Sequence, residues 1–525
     1  VDFIIADGAD LAVEPVQSVI NGTPLNLYEI FSDLTVPADA SIDFDGNGEP
    51  VAVVIDGNVV VNGEFGKQNG RLAVVVACED KHTHELTIAE NATAYVKALA
   101  VAGDINVAGT LDVVDLFTNT NLTVTGTGKI LKTGDSPTIA VLKDMIEMFF
   151  GADIGTQLKT YLDNIDPALF PMVQDIYNAY QGENTPGAII ARNIDNSGTI
   201  ETNILVANGN IVNTKDVKAE IIVATGDITL GGNVPTFAIA SMGNITIPEG
   251  ANVEAAYVLA LEAVDIDGTL VTPEMITIQE LRNIIYTYLQ TEIEGYLNSI
   301  DPAIRNENIA LYNAVKGYDV PSVILGASVD ISGSNVEADV IAACLLPEHV
   351  ENGIEGGYVN ISGTVDSSFI ASAIVTFDEE KNEYVFNGGA VDISGTVTTD
   401  FVGGKDVNIS GTVNSVYVIA ENAIDVTGTV TARDALVNQP NTKLEGSVIA
   451  KTLNVTKMID STIVDIENKV TVGADGEIIT DLFLAKNLDL AGKLTVNGYD
   501  VPSIIDGIAK SAEQGREVEI EIPEI

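Results

Sequence analysis

The sequence predicts a mainly β protein, in which stacked β-solenoid or β-arch rungs carry two duplicated small α-helical inserts. Three observations lead to this fold class: a recurring heptapeptide, a near-constant spacing between its copies, and an internal duplication that carries position 161 onto position 296. The composition agrees with a folded chain. Hydrophobic residues make up 46% and charged residues only 19%, whereas disordered chains combine low hydrophobicity with high charge.

The heptapeptide alternates apolar and polar residues and ends in Gly-Thr followed by an apolar residue. Its clearest copies span residues 359–365, 391–397, 407–413 and 424–430. Alternation with period two is typical of a strand with one buried face, and Val and Ile are favoured in strands. We expect the glycine to supply a bend or bulge where the chain turns a corner.

The spacing of the motif indicates one coil of a solenoid. The motif glycines Gly395, Gly411, Gly428 and Gly446 follow one another with a period of roughly 16–18 residues. The intervals Gly333–Gly363 and Gly363–Gly395 are nearly twice as long, and we interpret them as about two units each. Coils stack ~4.8 Å apart and bury their apolar residues against one another. The alternative is an ordinary β-sandwich with turns every ~8–12 residues, but sandwich strands do not repeat one heptapeptide.

The second repeat is longer and includes helical inserts. Residues 161–180 and 296–315 are identical at 9 of 20 positions. Apolar residues at helical spacing precede the first copy, at Leu142, Met145, Ile146, Phe149 and Phe150. Because the same offset carries the later part of this stripe onto the second copy, we predict one fold for both inserts, at 138–181 and 273–316.

The complete predicted order is as follows: an N-terminal β region at 1–98, β-rungs at 99–137, insert 1 at 138–181, β-rungs at 182–272, insert 2 at 273–316, a β-solenoid at 317–497 and a C-terminal segment at 498–525. Residues 325–495 should form about ten rungs at about 17 residues each, a rod of about 50 Å. The inward residues Ile393, Ile409 and Val426 should lie above one another.

Charge and residue usage exclude several functions. The chain carries 76 Asp and Glu against 25 Lys and Arg, a net charge of −51, so clustered cations for phosphate contacts are missing. No run of about 18 apolar residues exists to span a membrane. With three His and neither a Gly-x-Ser-x-Gly sequence nor a P-loop, we expect no enzyme activity.

The two cysteines, Cys78 and Cys344, lie far apart in the sequence. Both lie in apolar, strand-like segments, so one interpretation is a pair of inert buried thiols. In an exported chain a disulfide is the alternative. We favour a bond between neighbouring subunits, because the two positions lie in distant modules and an internal bond would need their Cα atoms within about 7 Å.

Metal binding has one candidate motif. Asp43, Asp45 and Asn47, followed by Gly48, have the spacing of the first half of a calcium loop. The twelfth position is Val54 instead of a bidentate Glu, so an ordinary Asp/Gly turn is the alternative. Calcium is therefore the one cofactor that the sequence raises, and otherwise none is expected.

The remaining His and Cys residues give no standard site. Cys78, His82, His84 and Glu85 lie close together in one short segment, but their spacing fits no standard zinc site. His349 is isolated, and we expect it to be exposed.

The start of the chain and its sequons favour export. The sequence begins at Val1 instead of Met, which indicates either a removed leader or a fragment; a removed secretory leader would place the protein outside the cell. Seven Asn-x-Ser/Thr sequons are glycosylation candidates: Asn21, Asn91, Asn121, Asn244, Asn360, Asn408 and Asn454.

The Val-Asp-Ile-Ser-Gly-Thr-Val copies resemble polymer-forming β-solenoids. The rungs of 391–430 are similar to those of bactofilins, the bacterial cytoskeletal filaments, and the whole chain resembles the sheath or surface-layer proteins of methanogenic archaea. That family implies acidic, β-rich, secreted subunits that build a tubular, amyloid-like envelope. We therefore expect an extracellular structural protein whose partner is itself, in a homopolymer. The alternative is a non-polymerising adhesin or binding solenoid, which we would expect to carry a helix over its last strand edge.

Overall fold

The fold is described from a computed structural model of the 525-residue chain. The structure describes residues 3–4, 10–12, 16–20, 23–44, 51–68, 72–76, 84–133, 186–280, 316–378, 383–433 and 446–503. The chain divides into two compact units. Unit 1 comprises Val1–Ser241 and Pro273–Val320, and unit 2 comprises Met242–Thr272 and Pro321–Ile525.

The strands of unit 1 are β1 (Phe3–Ile4), β2 (Asp10–Ala12), β3 (Val16–Ile20), β4 (Thr23–Ile30), β5 (Leu34–Val36), β6 (Ser41–Asp43), β7 (Val51–Ile55), β8 (Val59–Val61), β9 (Glu64–Phe65), β10 (Leu72–Val76), β11 (Leu86–Ile88), β12 (Thr93–Val101), β13 (Ile105–Val107), β14 (Thr110–Thr118), β15 (Asn121–Val124), β16 (Lys129–Leu131), β17 (Ala188–Ala191), β18 (Asn193–Asn196), β19 (Thr199–Glu201), β20 (Ile204–Ala207), β21 (Ile211–Asn213), β22 (Asp216–Lys218), β23 (Ile221–Ala224), β24 (Ile228–Leu230), β25 (Asn233–Pro235) and β26 (Ala238–Ser241).

The elements of unit 2 are β27 (Ile245–Ile247), β28 (Asn252–Glu254), β29 (Tyr257–Ala260), β30 (Ala263–Ile266), β31 (Thr269–Val271), β32 (Val323–Gly326), β33 (Ser328–Ile331), β34 (Asn335–Leu345), the helix α1 (Pro347–Glu351), β35 (Tyr358–Ile361), β36 (Thr364–Asp378), β37 (Glu383–Gly388), β38 (Ala390–Ile393), β39 (Thr396–Ile409), β40 (Thr412–Val426), β41 (Thr429–Ala432), β42 (Ser447–Val455), β43 (Met458–Val472), β44 (Glu477–Leu490), β45 (Lys493–Val496) and β46 (Tyr499–Asp500).

Each unit is a stack of parallel coils, so the predicted β-solenoid class is confirmed. In unit 1, β18, β19 and β20 pair in parallel with β21, β22 and β23 of the following coil. Ile194, Ile211 and Ile228 are register partners in three successive coils. One coil therefore takes three short strands and about 17 residues, the period that the motif spacing predicts.

The core is a set of vertical columns of apolar side chains. In unit 2 the register places Ile393 opposite Ile409, and Ile409 opposite Val426. All three side chains are at most 1% exposed. The predicted stacking of these three residues is confirmed, and it follows from the period-two pattern that turns every second side chain inward.

Close backbone approach, and not a left-handed turn, explains the motif glycines Gly395, Gly411 and Gly428, whereas Gly446 has a positive φ of 85°. A Cβ atom built on Gly411 would lie 2.0 Å from the carbonyl oxygen of Gly395, and one built on Gly428 would lie 2.0 Å from that of Gly411. A side chain at this corner would therefore collide with the backbone of the preceding coil.

The described residues between 325 and 495 contain eight coils, so the expected ten was wrong. The inward residues that mark successive coils are Ile331, Ile361, Ile393, Ile409, Val426, Val455, Val472 and Leu490. Each of the two long intervals, Gly333–Gly363 and Gly363–Gly395, is a single coil with an excursion. The first contains α1, and the second contains the antiparallel hairpin of β36 and β37.

The helical inserts lie largely outside the described residues. Insert 1, at 138–181, falls entirely outside them, as do residues 281–315 of insert 2. Residues 278–280 are helical, and Thr277 and Glu280 form a reciprocal capping box: the Glu280 carboxylate accepts from the Thr277 backbone N–H at 2.8 Å, and the Glu280 N–H donates to Thr277 Oγ1 at 3.1 Å. A helix thus begins where the sequence places insert 2.

Candidate assembly surfaces

The last long strand of unit 2 has a strand edge without a described neighbour. Strand β44 pairs with β43 along its length, but β45 covers only residues 477–480. Within the described ranges, residues 482–490 therefore have a neighbour on one side only. We call this stretch the terminal edge.

The apolar core continues to the terminal edge and becomes exposed there. Leu488 is the register partner of Val470. Val470 is 0% exposed, whereas Leu488 is 39% exposed. The same column runs through every preceding coil of unit 2, so the edge presents the apolar positions that a further coil would bury.

The backbone N–H groups of the terminal edge also indicate that a further strand can pair there. Inward residues of other coils donate their N–H to the following coil: Leu34 N to Asn58 O at 2.8 Å, and Ile211 N to Asp227 O at 2.9 Å. Outward residues donate backwards, as in Ala491 N to Val472 O at 2.8 Å. By this alternation the N–H groups of Leu488 and Leu490 face the open side, where a neighbouring strand could accept them.

A polar ladder lines one outer face of unit 2. Its members occupy the position between the two inward residues of each motif copy, at one residue per coil. They are Asp265, Asp330, Asn360, Asp392, Asn408, Asp425, Asn454, Thr471 and Asp489.

Asp and Asn alternate strictly from Asp330 to Asn454, and each Asn donates to the Asp before it. Asn360 Nδ2 lies 2.7 Å from Asp330 Oδ1, and Asn408 Nδ2 lies 2.6 Å from Asp392 Oδ1. Like charges directly opposite each other in neighbouring strands are destabilising. The alternation therefore lets an acidic face stack at coil spacing without adjacent carboxylates.

Where two Asp residues of the ladder are neighbours, repulsion between carboxylates contributes to a raised pKa. Asp265 and Asp330 are direct neighbours, and the pKa of Asp265 is raised by burial first and then by the charges of Asp267 and Asp330. Beside the ladder runs a groove of about 500 Å³, whose second wall is formed by motif hydroxyl residues such as Ser394 and Ser410.

Three of the sequon asparagines belong to the ladder. The side-chain amides of Asn360, Asn408 and Asn454 donate to Asp330, Asp392 and Asp425. These residues are therefore structural members of the fold, in addition to being glycosylation candidates.

The other sequon asparagines differ in their surroundings. Asn91 is exposed at a turn, with a φ of 68°. Asn121 Nδ2 donates to Asp104 at 3.1 Å, and Asn244 Nδ2 donates to Glu262 at 3.0 Å. Asn21 lies outside the described residues.

The disulfide stays a prediction. Cys344 lies on β34, half-buried on its outward side, and burial raises the pKa of its thiol. It forms no disulfide with a described residue, and Cys78 lies outside the described ranges. Non-reducing electrophoresis of assembled material tests the inter-subunit bond: we expect a dimer band that disappears on reduction, and monomer bands alone would contradict the bond.

The calcium motif is only partly described. Asp43 ends β6, and its Oδ2 lies 3.7 Å from Lys67 Nζ. Asp45 and Asn47 lie outside the described residues. Among the residues that the structure describes, no group of three or more His, Cys, Asp or Glu is placed to hold a metal ion.

The histidines make structural contacts. His84 Nε2 lies 3.1 Å from Asp56 Oδ1, while Cys78 and His82 of the same segment are not described. The expectation for His349 was wrong, because it is only 4% exposed. Its Nδ1 accepts the Leu346 N–H at 3.1 Å and so caps α1, which turns the ring towards the protein.

Comparison with protein-family models, curated proteins and solved structures found no match for the chain. In the part of the chain that is described, no helix has the length and apolar character needed to cross a membrane.

Proposed function

We propose that the chain is an extracellular structural protein that self-assembles through β-strand edges into a protective cell sheath or surface layer. The terminal edge is the observation that carries this proposal. Leu488 is 39% exposed at the end of a column that is otherwise buried, and the backbone pattern turns its N–H to the open side. A strand from a second copy would satisfy both the hydrogen-bonding groups and the apolar side chains.

Charge opposes assembly at long range but not at contact. Each copy carries −51, so identical copies repel when they are far apart. At an ionic strength of about 0.15 M, exposed charges more than ~8 Å apart are largely screened. Backbone pairing and apolar burial act at shorter range and then decide the outcome. Divalent cations between acidic surfaces would assist further.

The test removes one backbone donor from the terminal edge. Leu488→Pro deletes an N–H that faces the open side and leaves the N–H groups that bond to β43 intact. Leu488→Val is the matched control, because it keeps the N–H and an apolar side chain at the same position. Purified full-length protein is concentrated at about 0.15 M salt, with calcium or with a chelator, and examined by negative-stain electron microscopy and sedimentation.

We expect polymers from the unmodified chain and from Leu488→Val, and short species from Leu488→Pro. Circular dichroism establishes that the Leu488→Pro variant is folded. If the unmodified chain stays monomeric at high concentration with calcium present, the structural-polymer proposal is wrong. The alternative of a non-polymerising adhesin, for which the groove beside the ladder offers a surface, then replaces it.

A further inference from the structure

One outer face of unit 2 is apolar over nine coils. Two outward columns form it, and we call them together the apolar face. The first column is Tyr257, Val323, Val340, Phe369, Phe401, Tyr417, Ser447, Ile463 and Leu482. The second column is Leu259, Leu325, Ala342, Ala371, Gly403, Ile419, Ile449, Asp465 and Leu484.

The apolar face is accessible at part of its members, whereas Ser447 and Ile463 in the first column are only 2% and 8% exposed. Phe369 is 38% exposed, Ile449 36% and Leu484 47%. Phe369 and Phe401 stack with ring centroids 4.7 Å apart and planes 5° apart, so the rings form a continuous surface along the coil axis.

The face contrasts with the rest of the chain in its charge. Asp465 is the single acidic or basic residue in the two columns, whereas the whole chain contains 76 acidic residues. The polar ladder, on another side of the same coils, carries an Asp on most of them. Asp339, Asp400 and Asp481 directly precede Val340, Phe401 and Leu482 and so border the face. The face itself carries a single carboxylate, so an acidic partner meets less like charge there than at the polar ladder.

The area of the apolar face is small for a stable dimer, and it suits a weak contact that is repeated between many copies. Nine coils at ~4.8 Å and two side chains across give about 38 Å by about 12 Å, or about 450 Å² per copy. That area lies in the middle of the range of about 300–600 Å² that the largest apolar patch of a typical monomer covers. Two such faces bury about 900 Å² together, below a standard stable interface of roughly 1,600 Å². A single pair would be weak, and copies already joined in a polymer would add their contacts.

We propose that the apolar face docks against the same face of a second copy, related by a two-fold axis. The occupant is a second copy because, among the described residues of unit 2, this face is a low-charge surface that a chain of −51 can offer to another chain of −51. A two-fold arrangement brings identical patches together and closes the contact. This inference rests on the proposed self-assembly and adds lateral pairing to growth through the terminal edge.

The test separates lateral pairing from growth. Full-length Leu488→Pro protein, in which edge growth is blocked, is studied by sedimentation velocity over a range of concentrations. Phe369→Glu and Ile449→Glu are then added together. The matched control is Thr364→Glu with Thr429→Glu, which adds the same charge on the same coils at another face.

We expect a reversible monomer–dimer equilibrium for Leu488→Pro and for the threonine control. The Phe369→Glu and Ile449→Glu variant should dissociate at least tenfold more readily, with an unchanged circular dichroism spectrum. Three results would overturn the proposal: a monomer for Leu488→Pro at every concentration, equal dimerisation of the two Glu variants, or binding of phosphatidylcholine vesicles in place of dimerisation. None of these alters the edge test, so failure of the lateral contact and failure of self-assembly are distinguishable.

Discussion

The alternation of Asp and Asn in the polar ladder predicts a specific electrostatic penalty. Asn408 lies between Asp392 and Asp425 on the adjacent coils. The substitution Asn408→Asp would place three carboxylates in a row at coil spacing. It would also replace the amide donor that lies 2.6 Å from Asp392 Oδ1.

The magnitude follows from the coil spacing. At ~4.8 Å each new pair of charges repels by about 0.9 kcal/mol in water. Because the ladder is exposed, we use this solvent value and not the larger one of a protein interior. Two new pairs and one lost hydrogen bond of about 1 kcal/mol give a total of about 2–3 kcal/mol.

Asn106→Asp is the matched control in unit 1. Asn106 occupies the equivalent column position, but its neighbours are Thr87 and Thr123. The same change of chemistry there creates no adjacent carboxylates, so we expect it to cost less than about 0.5 kcal/mol.

Thermal unfolding of both variants against pH and salt is the assay. The new carboxylate at position 408 has a folded pKa raised by its neighbours, so the penalty is present where the group is ionised and disappears as the pH falls below its unfolded value of about 4. High salt should also reduce it. If the two variants lose equal stability at pH 7, or if the loss at position 408 is the same at pH 3.5, the electrostatic account of the ladder is wrong.

Three further predictions concern the interior of the coils. Asn196 Nδ2 donates to Asn213 Oδ1 at 2.6 Å in the buried core, so Asn213→Ala should cost about 2–4 kcal/mol in denaturant unfolding. Asn196→Val with Asn213→Leu should not recover this loss, because the buried Gly198 N–H and Gly231 carbonyl would still lack their side-chain partners. Gly411→Ala should cost about 3 kcal/mol or more, because its Cβ would meet a backbone oxygen at 2.0 Å, whereas Gly250→Ala, with φ +82° and open space, should cost about 1–2 kcal/mol. Burial raises the pKa of Asp115 from 3.8 to about 6, so its charge lowers stability progressively as pH rises through that window. Asp115→Asn should then increase the free energy of unfolding at pH 7 by up to about 3 kcal/mol, which a higher melting temperature would show, and it should have no effect near pH 3.5.

The sequence predicts the local repeat well, because a strand buried on one face must alternate. The columns through Ile393 and Ile409, and the coil of about 17 residues, follow from that constraint alone. The ladder could also have been found there, because Asp392 and Asn408 hold the same place in successive motif copies.

The number of coils could not be predicted in the same way. The long intervals Gly333–Gly363 and Gly363–Gly395 fit two coils as well as one coil with an excursion. Only the pairing of Ile331 with Ile361 and of Ile361 with Ile393 decides between them. The terminal edge and the apolar face depend on which strands are neighbours in space. Outward apolar side chains become a surface only when the register aligns them.

The central claim is that copies join through the terminal edge by continuing the parallel stack of strands. A cryo-electron microscopy reconstruction of the assembled material tests it most directly. The account predicts that residues 482–490 of one copy form a hydrogen-bonded strand pair with a neighbouring copy, with Leu488 buried between them. A reconstruction in which this strand edge faces solvent, or is covered by its own chain while the contacts between copies lie elsewhere, would contradict it.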